Sequence, residues 1–198
     1  MNAVWHDPDD GTGTEPDREA DEAALMARAQ QDLHDFAPLY HRYYRPIFGY
    51  CHRRLEHREA AADATSQTFA RALTGIHGFR SGSVAAWLFT IARNVVIDTV
   101  RSRRFHLDLD DAAELSAGGP RPEDEAIAND QQRALFAALR TLTPDQRHVV
   151  ELRLAGLTSP EIASVLGTTT GAVKASQSRA YARLRTALAP EHIFGDPT

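Results

Sequence analysis

The stretch Thr158–Leu188, TSPEIASVLGTTTGAVKASQSRAYARLRTAL, restricts the folds open to this chain more than any other. It reads as helix, tight turn, helix. Thr158 supplies an N-cap oxygen, and Glu161 at the third helical position completes a capping box. Ile162, Ala163 and Leu166 give this first helix one apolar face. Gly167 ends it, because glycine takes the left-handed conformation at little steric cost. Thr168, Thr169 and Thr170 make the turn, with Thr169 placed to cap the next helix. There Val173, Ala180, Leu184 and Leu188 recur at helical spacing and are expected to face a core. Lys174, Ser178, Tyr181 and Arg185 fall on another face, with Arg179 and Arg183 on the opposite flank. No carboxylate occurs from Ala163 to Pro190. A short helix pair presenting a cationic, hydroxyl-rich helix fits the major groove of DNA. Cap, glycine turn and spacing together favour a helix-turn-helix over a solvated helix in a bundle.

Net charge is −5, the wrong sign for a chain held on DNA by global attraction. The charge is segregated, however. Acids crowd the N-terminus and Asp108–Glu125, while arginines gather at Arg101–Arg104 and Arg179–Arg185. Such a chain has basic faces but weak overall attraction to DNA, so a partner is expected to hold it there. The single Cys51 excludes an internal disulfide and a cysteine-only zinc site. It lies in an apolar helical stretch, which predicts a buried thiol. His34, His41, His52 and His57 show no HExxH spacing and no repeated carboxylate pairing, so no metal site and no cofactor is expected. No apolar run is long enough to span a bilayer, and the acidic, polar N-terminus does not read as a signal peptide, which predicts a cytoplasmic location.

Residues 1–18 hold little that packs and read as a disordered acidic N-terminus. Helical patterning starts at Glu19, with Leu25, Met26, Ala29 and Leu33 as its apolar stripe. Phe36–Leu55 is an aromatic-rich helix in which Pro46 predicts a kink or break. Glu59–Leu73 is a helix rich in small residues, with Asp63, Ser66, Gln67 and Arg71 polar and Phe69 its one large anchor. Gly75, Gly78 and Gly82 make Thr74–Ser83 a loop. Val84–Arg104 is a long helix, apolar on two sides, and therefore buried by more than one neighbour. Trp87 opens its apolar stripe, which favours a core position. Residues 106–125 read as a flexible acidic linker. A second helical unit follows, where Thr143-Pro144-Asp145-Gln146 marks a strong helix start.

Three stretches, in order, resemble the extracytoplasmic-function (group IV) sigma factors of bacterial RNA polymerase. Asp63-Ala-Thr-Ser-Gln-Thr-Phe69-Ala-Arg71-Ala72 is similar to the core-binding helix of the family's region 2. Phe79-Arg80, then Trp87-Leu-Phe-Thr-Ile-Ala-Arg93-Asn94, Asp98 and Arg101–Arg104, is similar to the promoter-melting segment. Leu142-Thr-Pro with Glu161-Ile-Ala163, Leu166-Gly167, Val173-Lys174 and Arg179-Ala180 is similar to region 4. Two positions depart from the pattern: Ala62 and Ala64 stand for an acidic and a larger apolar residue. In the recognition helix Ser176 stands where many relatives carry arginine.

The resemblance implies an all-α chain of two small helical domains, a region 2 bundle at 19–105 and a region 4 helix-turn-helix at 126–190, followed by a tail at 191–198. It implies core-polymerase contacts at Asp63, Gln67, Phe69 and Arg71. Contacts to the minus-ten element would come from Phe79, Arg80, Trp87, Arg93, Asn94, Arg101, Arg103 and Arg104. Those to the minus-thirty-five duplex would come from Thr169, Thr170, Lys174, Ser178, Arg179, Tyr181 and Arg185. Arginines hold phosphates, and aromatic rings stabilise unstacked bases. The expected function is therefore a non-enzymatic initiation factor, without catalytic residues, whose partners are core RNA polymerase, promoter DNA and an anti-sigma factor. A response-regulator-type helix-turn-helix protein acting without polymerase is the alternative, but it leaves Asp63–Arg71 and the tryptophan helix unexplained. A helical metal hydrolase using the scattered histidines is a more distant one.

Overall fold

The computed structural model describes residues 15–109 and 128–188, and the side chains of 18–102 and 133–188. Among these, helices are the only regular elements. They are α1 (Glu15–Ala29), α2 (Ala37–Leu55), α3 (Arg58–Gly75), α4 (Val84–Leu109), α5 (Ala128–Arg140), α6 (Pro144–Leu154), α7 (Ser159–Leu166) and α8 (Thr170–Ala187). Short 3-10 turns at Leu33–Phe36 and Ile76–Gly78 precede α2 and follow α3. No helix among the described residues is long and apolar enough to cross a membrane.

Local chemistry explains most helix ends. Thr143 caps α6 and Thr158 caps α7, each in a complete capping box with Gln146 and Glu161. Gly167 closes α7 at φ 64°, ψ 39°. Three boundaries differ from the sequence expectation. Residues 15–18, expected to be disordered, begin α1, and Leu33 stands outside that helix, 52% exposed. The helix α4 continues into the first residues of the expected linker; the remainder of that linker, the chain before Glu15 and the 191–198 tail lie outside the described residues. Pro46 does not break α2. An interior proline costs about 3 kcal/mol, and burial of Tyr43, Ile47, Tyr50 and Cys51 around it offsets that, at ~1.5–3 kcal/mol for each large apolar side chain.

Helices α2, α3 and α4 form the first bundle, with α1 laid across α2 and α4. Tyr50 meets Phe89 edge-on at 5.7 Å in its centre. Cys51 is fully buried, and burial raises its thiol pKa to about 11. The helix-turn-helix does not stand apart. Val149, Leu152, Leu157, Ile162, Ala163, Val165 and Val173 share one apolar cluster with the first bundle. Helix α7 packs on α4, and α6 on α2. A second cluster, Leu139, Leu142, Val150 and Ala180, flanked by Tyr181 and Leu184, holds α5, α6 and α8 together.

Candidate nucleic-acid interface

The outward face of α8 is polar and cationic. Lys174, Ser178, Arg179 and Arg185 are exposed, and Thr169 Oγ1 accepts the Ala172 amide at 3.2 Å as the helix cap. Thr170, the first helical residue, is half-buried. Helix dipole and uncapped amides there favour a phosphate. Tyr181 differs from the rest of its group: it is half-buried against the second apolar cluster and accepts from Gln177 Nε2 at 3.3 Å. Ser176 is buried, so the position that carries arginine in many relatives faces inward here. Arg183 donates to Gln146 Oε1 at 3.3 Å, and Arg153 to Ser159 Oγ and Gln177 Oε1 at 2.5 and 3.1 Å. Those two arginines brace the module. Leu188, expected in the core, is 49% exposed because it lies past the last packed turn of α8.

A second polar surface surrounds the loop between α3 and α4. The Phe79 ring meets Trp87 edge-on at 5.5 Å, and both rings pack partly against the core. Arg80 is exposed beside them. Gly82 takes φ 95°, a conformation a side chain would strain. Ser83 then precedes α4, its Oγ accepting the Ala86 amide at 3.1 Å. A cleft of about 910 Å³ opens here, lined by Phe79, Arg80, Ser83 and Trp87 on one side and by Glu161 and Ser164 of α7 on the other. Along α4, Asn94 and Arg101 are exposed. Arg93 is half-buried and lies near His148 of α6, facing the other module. Arg103 and Arg104 continue α4, with side chains outside those described.

The face of α3 is split. Asp63, Gln67 and Arg71 recur every fourth residue and are all exposed, forming one stripe. Arg71 also reaches Asp98 of α4 at 2.9 Å. Phe69 is not on that stripe. It is 4% exposed and packs on Phe36, Tyr40 and Tyr44, so it cannot contact a partner directly as expected. The rings that do reach solvent are Tyr40 and Tyr44, which the sequence pattern did not separate from core aromatics.

The two modules meet along a charged seam. Glu151 of α6 is fully buried and pairs with Arg147 at 2.7 Å and Arg54 at 3.4 Å. Burial pushes its carboxyl pKa up, against the pull of those arginines. Arg147 donates to the Arg53 carbonyl at 2.8 Å, and Arg140 pairs with Glu56. Burial, then the nearby Arg54 and Arg93, brings the His148 pKa down to about 4. On the other side of the seam Ser83 Oγ donates to Glu161 Oε1 at 2.5 Å, and Arg18 of α1 reaches the same oxygen at 3.3 Å. Glu161 is thus both the capping-box residue of α7 and a tie to the α3–α4 loop, a second role its sequence position does not reveal.

Both helical units have known relatives. The family models "Sigma-70 region 2" and "Sigma-70, region 4" match residues 39–106 and 132–184. The chain is 38% identical over 178 residues to the ECF RNA polymerase sigma factor BldN of Streptomyces coelicolor, covering 85% of this chain and 67% of that one. It is 29% identical over 161 residues to the ECF RNA polymerase sigma factor SigX of Bacillus subtilis, covering 76% and 81%. Among solved structures it is similar to the sigma factor RpoE in complex with the anti-sigma factor NepR from Bartonella quintana, with TM-score 0.64, 25% identity, and 79% and 98% of the two chains covered. It shares its fold with CnrH in complex with the cytosolic domain of CnrY, at TM-score 0.66 and 23% identity, over 83% and 95% of the chains.

Proposed function

The chain belongs to the extracytoplasmic-function sigma factors, and on that premise we propose that it binds core RNA polymerase, directs it to specific promoters and helps to open them. The observation that carries this reading is the presence, in order on one chain, of both sigma regions, each with exposed polar and cationic side chains of its own. The α3 stripe of Asp63, Gln67 and Arg71 docks on polymerase, and Phe69 supports it from beneath. The Phe79–Ser83 loop with Trp87, Asn94 and the arginines of α4 takes the unstacked minus-ten strand. Lys174, Ser178, Arg179 and Arg185 take the minus-thirty-five duplex. The factor performs no covalent chemistry and works in the cytoplasm, where polymerase is. A solved relative is held by an anti-sigma factor, and we assign the same class of regulator to this chain.

Geometry adds a requirement. Ser83 of the minus-ten loop touches Glu161 of the helix-turn-helix at 2.5 Å. The two promoter elements lie about 25 base pairs apart by name, or ~85 Å along B-form DNA at about 3.4 Å per pair. No protein in this closed arrangement can read both elements at once. Polymerase binding therefore has to part α7 from α4.

Run-off transcription tests the reading. Purified chain, core polymerase and genomic fragments should give discrete, factor-dependent start sites. Tight operator binding without polymerase, together with no start sites, would return the chain to the response-regulator class.

A further inference from the structure

The minus-ten loop is held by a residue that belongs neither to it nor to its flanking helices. Gln30 follows the last residue of α1, and its amide closes the final turn on the Met26 carbonyl at 3.0 Å. Its side-chain Nε2 donates to the Ile76 carbonyl at 2.9 Å and to the Phe79 carbonyl at 2.8 Å. A primary amide has two N–H donors, so this arrangement uses both. The two carbonyls stand at the start of the 3-10 turn and at the first residue after it. Ile76 is fully buried, whereas Arg80, next after Phe79, is exposed.

Resting on the assignment of this loop to minus-ten reading, we propose that Gln30 is a positioning residue for it. Because the peptide unit is planar, fixing the direction of the Phe79 carbonyl fixes the plane of the Phe79–Arg80 peptide. That plane sets where Arg80 leaves the loop and how Phe79 meets Trp87. The loop's own backbone holds it at one point, where the Phe79 amide donates to the Ile76 carbonyl at 3.1 Å, and Gly75, Gly78 and Gly82 border the segment with nothing within 4 Å of where their side chains would be. A loop ordered before it meets a base loses less entropy on capture. The capping-type bonds from Gln30 therefore act on affinity for unstacked DNA and leave the polymerase stripe on α3 and the outward face of α8 alone.

The test uses holoenzyme assembled from the full chain and core polymerase. The probe is a fluorescent non-template oligonucleotide covering the minus-ten region of a promoter mapped by run-off. Gln30→Met keeps the volume and removes both donors; Gln30→Glu places acceptor oxygens against two carbonyls. Each should weaken oligonucleotide binding about five- to tenfold, the lower end of what two net hydrogen bonds contribute. Core affinity and binding of a minus-thirty-five duplex should stay within about twofold, as expected for groups with no partner in common. Amide hydrogen exchange should accelerate at residues 79–82 and stay slow in the centres of α2 and α4. Arg80→Ala is measured alongside. If Arg80→Ala weakens the oligonucleotide and both Gln30 variants leave it unchanged, the positioning role is overturned. Equal loss of core affinity and faster exchange throughout the bundle would also overturn it, making Gln30 a fold stabiliser. If neither Arg80→Ala nor the Gln30 variants affect the oligonucleotide, it is the loop's assignment to the minus-ten strand that fails.

Discussion

Phe69 and Asp63 share helix α3 and face opposite ways. Phe69 sits under Tyr40, 4.6 Å away between ring centres, and Asp63 is open to solvent. Removing a buried phenylalanine side chain costs ~3–5 kcal/mol. Phe69→Ala should therefore lower the melting temperature markedly and reduce polymerase binding only through loss of folded protein. Surface changes away from special features stay within about 0.5 kcal/mol, so Asp63→Ala should melt like the parent and still co-purify poorly with core polymerase. Thermal melts paired with pull-downs read both. Full co-purification of Asp63→Ala would remove the α3 stripe from the docking surface. Residue chemistry made the helix legible in advance. It could not tell Phe69 from Tyr40 or Tyr44, because an aromatic ring looks the same in sequence whether its neighbour is a side chain or water.

As an element, α8 separates its tasks by face. Val173, Ser176 and Ala180 point inward. Arg183 is engaged with Gln146 and Gln177 with Arg153, while Lys174, Arg179 and Arg185 are exposed on the outward face. Replacing Lys174 and Arg185 with glutamine should weaken minus-thirty-five binding at every promoter alike. It should also flatten the dependence of log affinity on log salt by about one for each phosphate no longer held. Titrations of holoenzyme on the duplex between about 0.05 and 0.2 M salt, the range over which counterion release acts, measure this; an unchanged slope rules out these two as phosphate ligands. Cap boxes, the Gly167 stop and the 3.6-residue spacing made α6, α7 and the core half of α8 readable from sequence, since those signals are local. The end of α8 was not, because helical spacing marks Leu188 as apolar without showing that it lies past the last packed turn.

At the scale of the whole molecule, the seam between the modules carries a titratable group. His148 is surrounded by Arg54 and Arg93 from the first bundle and by Asp145 and Arg147 on its own helix. Its folded pKa is about 4, against an ordinary value of 6.5. The unfolded chain therefore takes up the proton first. The stability that neutral His148 contributes is complete above pH 6.5 and is lost as pH falls toward 4. Linkage over that window amounts to ~1–2 kcal/mol at pH 5, or about 3–6 °C in melting temperature for a chain of this size. Glu151, raised by burial, titrates in the opposite sense, so the comparison is with His148→Gln rather than with pH 7 alone. The parent should lose more stability between pH 7 and pH 5 than this variant does, and parallel curves would dismiss the histidine. All-helical structure, two modules, their caps and turns, and the placing of charge along the chain are legible from the residues alone. Neighbours within a few positions supply those signals. Packing of the helices brings Glu161 to Ser83 and Gln30 to Phe79, and buries Glu151 among arginines of both modules. Each of these joins positions far apart in the chain, and their meeting depends on how helices pack, which no short stretch of residues encodes.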